Sequence, residues 1–219
     1  MSPTIIKGYI FDLDHTLIES DRAHINAALM VLKDHRLHKT DADIWPHFDK
    51  ATDDMMKSLA GDGIPLTAHQ LGLEHTKKLL DLIPTIPLYP QANEILHKIH
   101  NGGGRIAFAS NNYNVVIGAI LKHFKWDAIS RGFIGIDGIV NRKPHPEMVQ
   151  KAVDLLHLKP QDCVMVGDSI YDLKAGKSAG CYTVALCTGS FKSDDFQLLG
   201  PNLILNSISE LFSILPLQF

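Results

Sequence analysis

Short apolar runs that lack the polar alternation of a half-exposed strand are the strongest constraint on the fold of this chain. Such runs fit strands buried on both faces, because a sheet covered on one side only shows polar residues at every second position. The runs are also rich in β-branched and aromatic residues, which favour strands. The segments expected to form strands are Lys7 to Leu13, Arg105 to Ser110, Asp162 to Val166, Tyr182 to Leu186 and Asn202 to Leu205.

Helical patterns lie between these runs. In each pattern apolar residues recur three and four positions apart, which is the spacing of one helix face. The segments expected to form helices are Gln91 to His100, Pro146 to His157 and Ser207 to Leu215. Strands that alternate with helices predict an α/β fold with a parallel sheet.

About 70 residues after the first strand break this alternation, because they contain no convincing strand pattern. Ser20 is expected to cap a first helix of this segment. Thr67 and Gln70 form a capping-box pattern before a later helix. The segment therefore predicts an inserted helical subdomain. The expected domain boundaries are residues 1–15 and 86–219 for the α/β core and 16–85 for the insert.

Composition limits the partners and the compartment. The net charge of −3 over 219 residues gives no field that would attract nucleic acid or a membrane surface, so neither is expected as a partner. Cys163, Cys181 and Cys187 lie in or beside apolar runs without a C-x-x-C spacing, which predicts buried reduced thiols. No signal-peptide pattern and no membrane-length apolar run is found, so a cytoplasmic protein is expected. A monomer and a homodimer both remain open.

Polar side chains follow the predicted strands and enter the intervening loops. Because the carboxyl ends of parallel strands meet at one edge of a sheet, these side chains are expected to converge there. The set comprises Asp12 and Asp14 after the first strand, Ser110 and Asn111 after the second, Lys143 in the loop NRKPHP, and Asp168 and Asp172 in GDSIYD.

Two carboxylates, a hydroxyl and a lysine at one edge have a chemical logic. Mg²⁺ prefers oxygen ligands and takes one or two carboxylates together with a substrate phosphate, so Asp12 and Asp168 are candidate metal ligands. Ser110 offers a hydroxyl and a backbone N–H to phosphate oxygens, and Lys143 adds positive charge. Asp12 is then placed to attack phosphorus and form an aspartyl phosphate. Asp14 can protonate the leaving alcohol and afterwards activate water.

The stretches DLDHT, ASNN, NRKPHP and GDSIYD, in that order, resemble the four motifs of the haloacid dehalogenase superfamily of hydrolases. The helical insert directly after the first motif resembles the mobile cap of the phosphoglycolate-phosphatase-like branch. The resemblance implies a Rossmann-like core with helices on both faces of a parallel sheet. It also implies Mg²⁺ dependence and phosphoryl transfer through an aspartyl phosphate.

The same resemblance assigns roles to the residues that match its motifs. In this assignment Asp12 is the nucleophile and a metal ligand, and Asp14 is the acid/base and a metal ligand through its backbone carbonyl. Asp168 is a further metal ligand, and Asp172 holds metal-bound water or Lys143. The residues assigned to phosphate binding are Ser110, Asn111 and Lys143. The chain departs from the family at His15, where relatives often have glycine. This difference is expected to be local and to leave the chemistry unchanged.

The leading expectation is a phosphatase for a small phosphorylated metabolite, such as phosphoglycolate or a sugar phosphate. Dehalogenases and phosphonate-cleaving relatives lack an aspartate at the position of Asp14, which disfavours both reactions here. A sugar phosphomutase related to β-phosphoglucomutase uses the same motifs and stays an alternative. A catalytically silent binding protein is a third possibility, although all of the motif aspartates and the lysine are present. Release of phosphate would favour the phosphatase, whereas formation of an isomer without release would favour the mutase.

Overall fold

The computed structural model describes residues 5–48 and 51–216. The chain forms two compact units, one of Met1–Glu19 with Pro87–Phe219 and one of Ser20–Ile86. We call the first the sheet unit and the second the helical unit. Within the described ranges, no helix is both long enough and apolar enough to cross a membrane.

The sheet unit contains six parallel strands in the order β3-β2-β1-β4-β5-β6. All five strands expected from the sequence are present, which confirms the parallel α/β prediction. The third strand was missed, because two residues are too few to show a pattern. The strands are β1 (Gly8–Phe11), β2 (Arg105–Ala109), β3 (Phe133–Ile134), β4 (Cys163–Gly167), β5 (Tyr182–Leu186) and β6 (Leu203–Leu205).

Ten α-helices lie in the described residues, four in the helical unit and six in the sheet unit. The three helices expected after the insert are present to within one residue at each end. Their bounds are α1 (Asp21–Asp34), α2 (Asp41–Ile44), α3 (Thr52–Ala60), α4 (Ala68–Leu82), α5 (Ala92–Asn101), α6 (Asn114–His123), α7 (Glu147–Leu156), α8 (Ile170–Ser178), α9 (Ser193–Gln197) and α10 (Ile208–Ile214).

Helices cover both faces of the sheet, as its continuous hydrophobicity predicts. On one face Ile10 packs in a buried cluster with Met148 of α7 and Ala175 of α8. On the other face the ring of Phe108 stacks on that of Trp126 at a centroid distance of 5.9 Å. The Trp126 indole donates a hydrogen bond of 3.0 Å to the side chain of Asn93 in α5, so the buried ring keeps its polar atom satisfied.

The helical unit has its own apolar core, formed mainly where α1 and α3 pack with α4. Thr67 and Gln70 form the predicted capping box at the start of α4. The expected capping by Ser20 is wrong. Ser20 precedes α1, but its backbone is already helical (φ −88°, ψ −8°) and its side chain makes no capping hydrogen bond. A capping side chain requires an extended backbone at that position.

The order of the strands determines which loops meet. The chain runs from β1 through β2 to β3 on one side of the sheet and then crosses to β4, which pairs with β1 on the other side. A reversal of this kind leaves a crevice at the carboxyl ends of the central strands. The loops after β1, β2 and β4 begin with Asp12, Ser110 and Asp168, and they meet at this crevice.

Candidate active site

Lys143 occupies the centre of the crevice and is almost completely buried, with 2% of its side chain exposed. Its Nζ atom lies 2.9 Å from Asp12 Oδ1 and 2.6 Å from Asp172 Oδ1. A third hydrogen bond of 2.9 Å goes to the carbonyl of Ala109, at the end of β2. An ammonium group has three protons, so all of its donors are satisfied. Burial lowers the pKa of Lys143, but attraction to the two carboxylates and hydrogen bonds to both outweigh it and raise that pKa above its ordinary value.

A side-chain clamp fixes the loop that delivers Lys143. Glu147, the first residue of α7, accepts backbone hydrogen bonds from Val140 at 3.0 Å and Asn141 at 2.9 Å. These two bonds lower the pKa of Glu147 to about 2, so its carboxylate is ionised at neutral pH. These bonds hold the loop against the start of α7, so the backbone that carries Lys143 into the crevice is fixed.

Asp172 links Lys143 to the start of α8. Its Oδ1 atom accepts from Lys143, while Oδ2 accepts from the backbone N–H and hydroxyl of Ser169. Ser169 in turn accepts from the Asp172 backbone, which completes a capping box. Gly167 makes room for this arrangement, because a Cβ atom there would lie 2.4 Å from Asp172 Cγ. Asp172 thus has a helix-capping role and a contact with the buried lysine.

Negative charge exceeds positive charge in the crevice. Oxygen atoms of Asp12, Asp168 and Asp172 lie within 4.8 Å of one another. Burial raises the pKa of Asp12 well above its ordinary value; attraction to Lys143 lowers that pKa, and repulsion from Asp172, Asp168 and Asp14 raises it further. Burial, followed by repulsion from Asp172, raises the pKa of Asp168 to about 7. One lysine therefore does not neutralise the group.

The composition of this group fits a divalent cation. Every potential ligand atom in it is a carboxylate oxygen, which hard cations such as Mg²⁺ prefer, and neither histidine nor cysteine belongs to it. A cation beside Asp12 and Asp168 would also favour their ionised forms, which burial and repulsion between the carboxylates disfavour.

The carboxylate of Asp14 lies outside that group and has a different neighbour. Its Oδ2 atom accepts a hydrogen bond of 2.6 Å from the side-chain amide of Asn112. Asn112 is buried, and the sequence did not single it out as a site residue. Asn111, predicted to bind phosphate, is exposed, and its side chain has no hydrogen bond to the described residues. Of the two adjacent asparagines, it is Asn112 that contacts a predicted site residue.

The backbone N–H of Ser110 does not have the role expected for it. The sequence suggested that this N–H would face a phosphate, but it donates a hydrogen bond of 3.2 Å to the carbonyl of Ile134 in β3. The expectation failed because β3 itself was not predicted, so its pairing with the end of β2 was unknown. The buried Ser110 hydroxyl remains the group that this residue can offer.

The loop after β5 supplies two contacts that sequence patterns do not reveal. A Cβ atom at Gly189 would lie 1.9 Å from Asp168 Oδ2, so only glycine allows the backbone to approach that carboxylate. Thr188 donates a hydrogen bond from its hydroxyl to the carbonyl of His15. His15 has a left-handed backbone (φ 54°), which explains why glycine suits this position.

Known proteins resemble this chain over most of its length. Residues 9–186 match the family of haloacid dehalogenase-like hydrolases. Pyrophosphatase PpaX of Bacillus mycoides is 27% identical over 214 residues, covering 96% of this chain and 97% of the relative.

Solved structures share the fold. CbbY from Rhodobacter sphaeroides, in complex with phosphate, has a TM-score of 0.82 and 21% identity, with 94% of this chain and 96% of that chain covered. A protein described as a predicted phosphoglycolate phosphatase from Haemophilus somnus also has a TM-score of 0.82, with 23% identity and coverage of 95% and 97%.

Proposed function

The chain belongs to the haloacid dehalogenase-like hydrolases, and from that premise we propose that it is a Mg²⁺-dependent phosphatase. Its substrate in this proposal is a small phosphorylated metabolite, such as phosphoglycolate or a sugar phosphate, and its intermediate is an aspartyl phosphate on Asp12. The observation that carries the proposal is the contact of 2.9 Å between Lys143 Nζ and Asp12 Oδ1 inside a buried carboxylate group.

Lys143 orients the proposed nucleophile. It binds one carboxylate oxygen of Asp12, and Asp12 Oδ2 has no hydrogen bond to the described residues. In the proposal this second oxygen attacks the phosphorus atom, and the bond from phosphorus to the leaving oxygen breaks as the new bond forms. The buried ammonium also offsets negative charge that the phosphoryl group brings into the crevice.

Asp14 moves the protons in both half-reactions of the proposal. It first donates a proton to the leaving oxygen, which departs as an alcohol. It then takes a proton from the water that attacks phosphorus, and the bond between phosphorus and Asp12 breaks. The carboxylate of Asp12 and the protonated Asp14 are both regenerated, and inorganic phosphate is released.

Asp12, Asp168 and the backbone of Asp14 are the proposed ligands of Mg²⁺. When bound, the ion supplies positive charge that favours the ionised carboxylates and stabilises the transferring phosphoryl group. Ser110 and Lys143 are the proposed phosphate contacts, and Asp172 keeps Lys143 in place. Asn111 stays in the proposal as a phosphate contact, because an exposed side chain is free to meet a ligand.

The names of the relatives support a phosphate substrate without selecting one. The Bacillus mycoides relative is called a pyrophosphatase, and the R. sphaeroides structure contains phosphate. We propose that the predicted insert, residues 16–85, acts as a cap and selects among substrates. Pyrophosphate therefore belongs in the substrate panel beside phosphoglycolate and sugar phosphates.

The test is release of phosphate from this panel, with Mg²⁺ and with EDTA, beside the Asp12→Asn variant. Mg²⁺-dependent release by the wild type that the variant lacks would support the proposal. Conversion of glucose 1-phosphate to glucose 6-phosphate without release would instead identify the mutase. Neither release nor conversion by a folded wild type, on any substrate, would contradict both and favour a binding protein.

A further inference from the structure

Asn112 connects two residues that the proposed reaction uses in different ways. Its side-chain Nδ2 atom lies 2.6 Å from Asp14 Oδ2 and 3.3 Å from Ser110 Oγ. Its backbone N–H lies 3.2 Å from the same Ser110 Oγ. One buried residue therefore contacts both the proposed proton donor and the proposed phosphate contact.

We infer that Asn112 is a positioning residue that fixes Asp14 for proton transfer to the leaving group. The inference rests on the proposed function and adds to it a residue of the ASNN stretch to which the resemblance assigns no role. Asp14 and Asn112 are 98 positions apart in the sequence, so only the fold brings them together. The backbone carbonyl of Asn112 accepts a hydrogen bond of 3.0 Å from the backbone N–H of Ile136. This bond anchors the backbone from which the side-chain amide reaches Asp14.

The amide controls which oxygen of Asp14 carries the proton. Nδ2 is a donor only, so Asp14 Oδ2 must be an acceptor in this contact. A proton on Asp14 then belongs on Oδ1, from which it passes to the leaving oxygen as the phosphorus–oxygen bond breaks. A neutral amide is well suited to this task, because it orients the carboxyl group and exchanges no proton with it.

The same residue sets the polarity of the Ser110 hydroxyl. A serine oxygen has two acceptor sites and one proton. Asn112 donates to that oxygen from its backbone and from its side chain, which accounts for both acceptor sites. The hydroxyl proton is thereby left to donate to a phosphate oxygen, so a single residue aligns the phosphate contact and the proton donor.

The leaving group provides a readout that a purely structural role would not change. A p-nitrophenolate ion leaves without a proton, whereas phenolate, which has nearly the same shape, is more basic and gains more from protonation. The quantity to measure is the ratio of kcat/KM for phenyl phosphate to that for p-nitrophenyl phosphate. This parameter covers the steps up to release of the phenol, so later attack by water does not enter it.

Asn112→Asp keeps the size of the side chain but replaces the donor with an acceptor that repels Asp14. We expect it to lower the phenyl/p-nitrophenyl ratio at least fivefold, in the same direction as Asp14→Asn. Asn111→Ala is the matched control, since the neighbouring asparagine does not contact Asp14. If Asn111 binds phosphate, this variant lowers kcat/KM for both substrates together and leaves their ratio unchanged.

An unchanged ratio in Asn112→Asp, while Asp14→Asn lowers it, would overturn the inference and leave the proposed function intact. Hydrolysis of neither substrate by the wild type would contradict the proposed function itself, and the inference with it. Asn112→Ala gives a second variant without a new charge should Asn112→Asp fail to fold. It too must lower the ratio, and a ratio equal to that of the wild type would overturn the inference.

Discussion

Lys143 Nζ and Asp12 Oδ1 lie 2.9 Å apart although 131 positions of sequence separate the two residues. A buried ion pair of this kind contributes little to stability as such, because removing two charges from water offsets most of their attraction. Chemistry that needs an oriented carboxylate beside a cation is the better explanation for a buried pair at this position.

Lys143→Ala removes the only ammonium group that contacts Asp12 and Asp172 among the described residues. We expect kcat/KM for p-nitrophenyl phosphate to fall by about 10²- to 10³-fold, the range found when a charge-stabilising donor is lost. Lys122→Ala, which truncates an exposed lysine of α6, is the control and should retain wild-type activity. Activity of Lys143→Ala within threefold of the wild type would show that this ammonium group has no part in catalysis.

Asp172 and Ser169 allow the capping role to be separated from the role at Lys143. Asp172→Asn places an amide against the ammonium group, so we expect kcat/KM to fall tenfold or more. Ser169→Ala removes a capping hydroxyl and should lower the free energy of unfolding by about 1 kcal/mol. Its loss of kcat/KM should be smaller than that of Asp172→Asn. Steady-state kinetics and urea unfolding of both variants test the contrast, and the reverse ranking of activity losses would contradict it.

Gly189→Ala introduces a methyl group that would lie 1.9 Å from Asp168 Oδ2. The proposed metal ligand must then shift, and we expect affinity for Mg²⁺ to fall about 10- to 100-fold, as is typical when the support of a metal ligand is disturbed. Calorimetric titration with Mg²⁺ measures this without substrate. Gly63→Ala is the control, because no atom of the described residues beyond its two chain neighbours lies within 4 Å of a Cβ there, and its φ is not positive. Equal affinities for the two variants would argue against Asp168 as a ligand.

His75 of the helical unit predicts a pH dependence of stability. Its Nε2 atom lies 3.1 Å from the carbonyl of His24, and burial, with a smaller effect of the His24 ring, lowers the pKa of His75 to about 3. Below pH 6.5 the unfolded chain binds a proton that the folded state does not bind, so stability falls as the pH falls. The expected loss between pH 7.5 and pH 5 is about 2 kcal/mol.

The comparison of the wild type with His75→Gln isolates this contribution, because glutamine does not titrate. Urea unfolding at both pH values should show a smaller loss in the variant by about the same amount. His38→Gln replaces an exposed histidine of the same unit and is the matched control. Parallel pH dependence in the wild type and His75→Gln would contradict the prediction.

The sequence predicted those features that depend on local pattern. Short, continuous apolar runs predicted five strands, and the spacing of Thr67 and Gln70 predicted a capping box that the structure contains. The loops after β1, β2 and β4 could be grouped because parallel strands end at one edge of a sheet. Membership of the hydrolase family followed from four motifs in order.

Features that depend on distant contacts could not be predicted in this way. Asn112 matters because its amide contacts Asp14, and Gly189 matters because a side chain there would collide with Asp168. Neither contact leaves a periodic signal in the sequence. The backbone N–H of Ser110 was misassigned for a related reason, since its partner belongs to a strand of two residues.

The measurement that tests the central proposal most directly is the site of phosphorylation during turnover. Wild-type protein is mixed with p-nitrophenyl phosphate and Mg²⁺, quenched in acid within milliseconds, and its peptides are analysed by mass spectrometry. The proposal predicts a phosphoryl group on Asp12 that hydroxylamine removes, and no such group in Asp12→Asn. Phosphorylation of another residue, or near-normal turnover by Asp12→Asn, would contradict it.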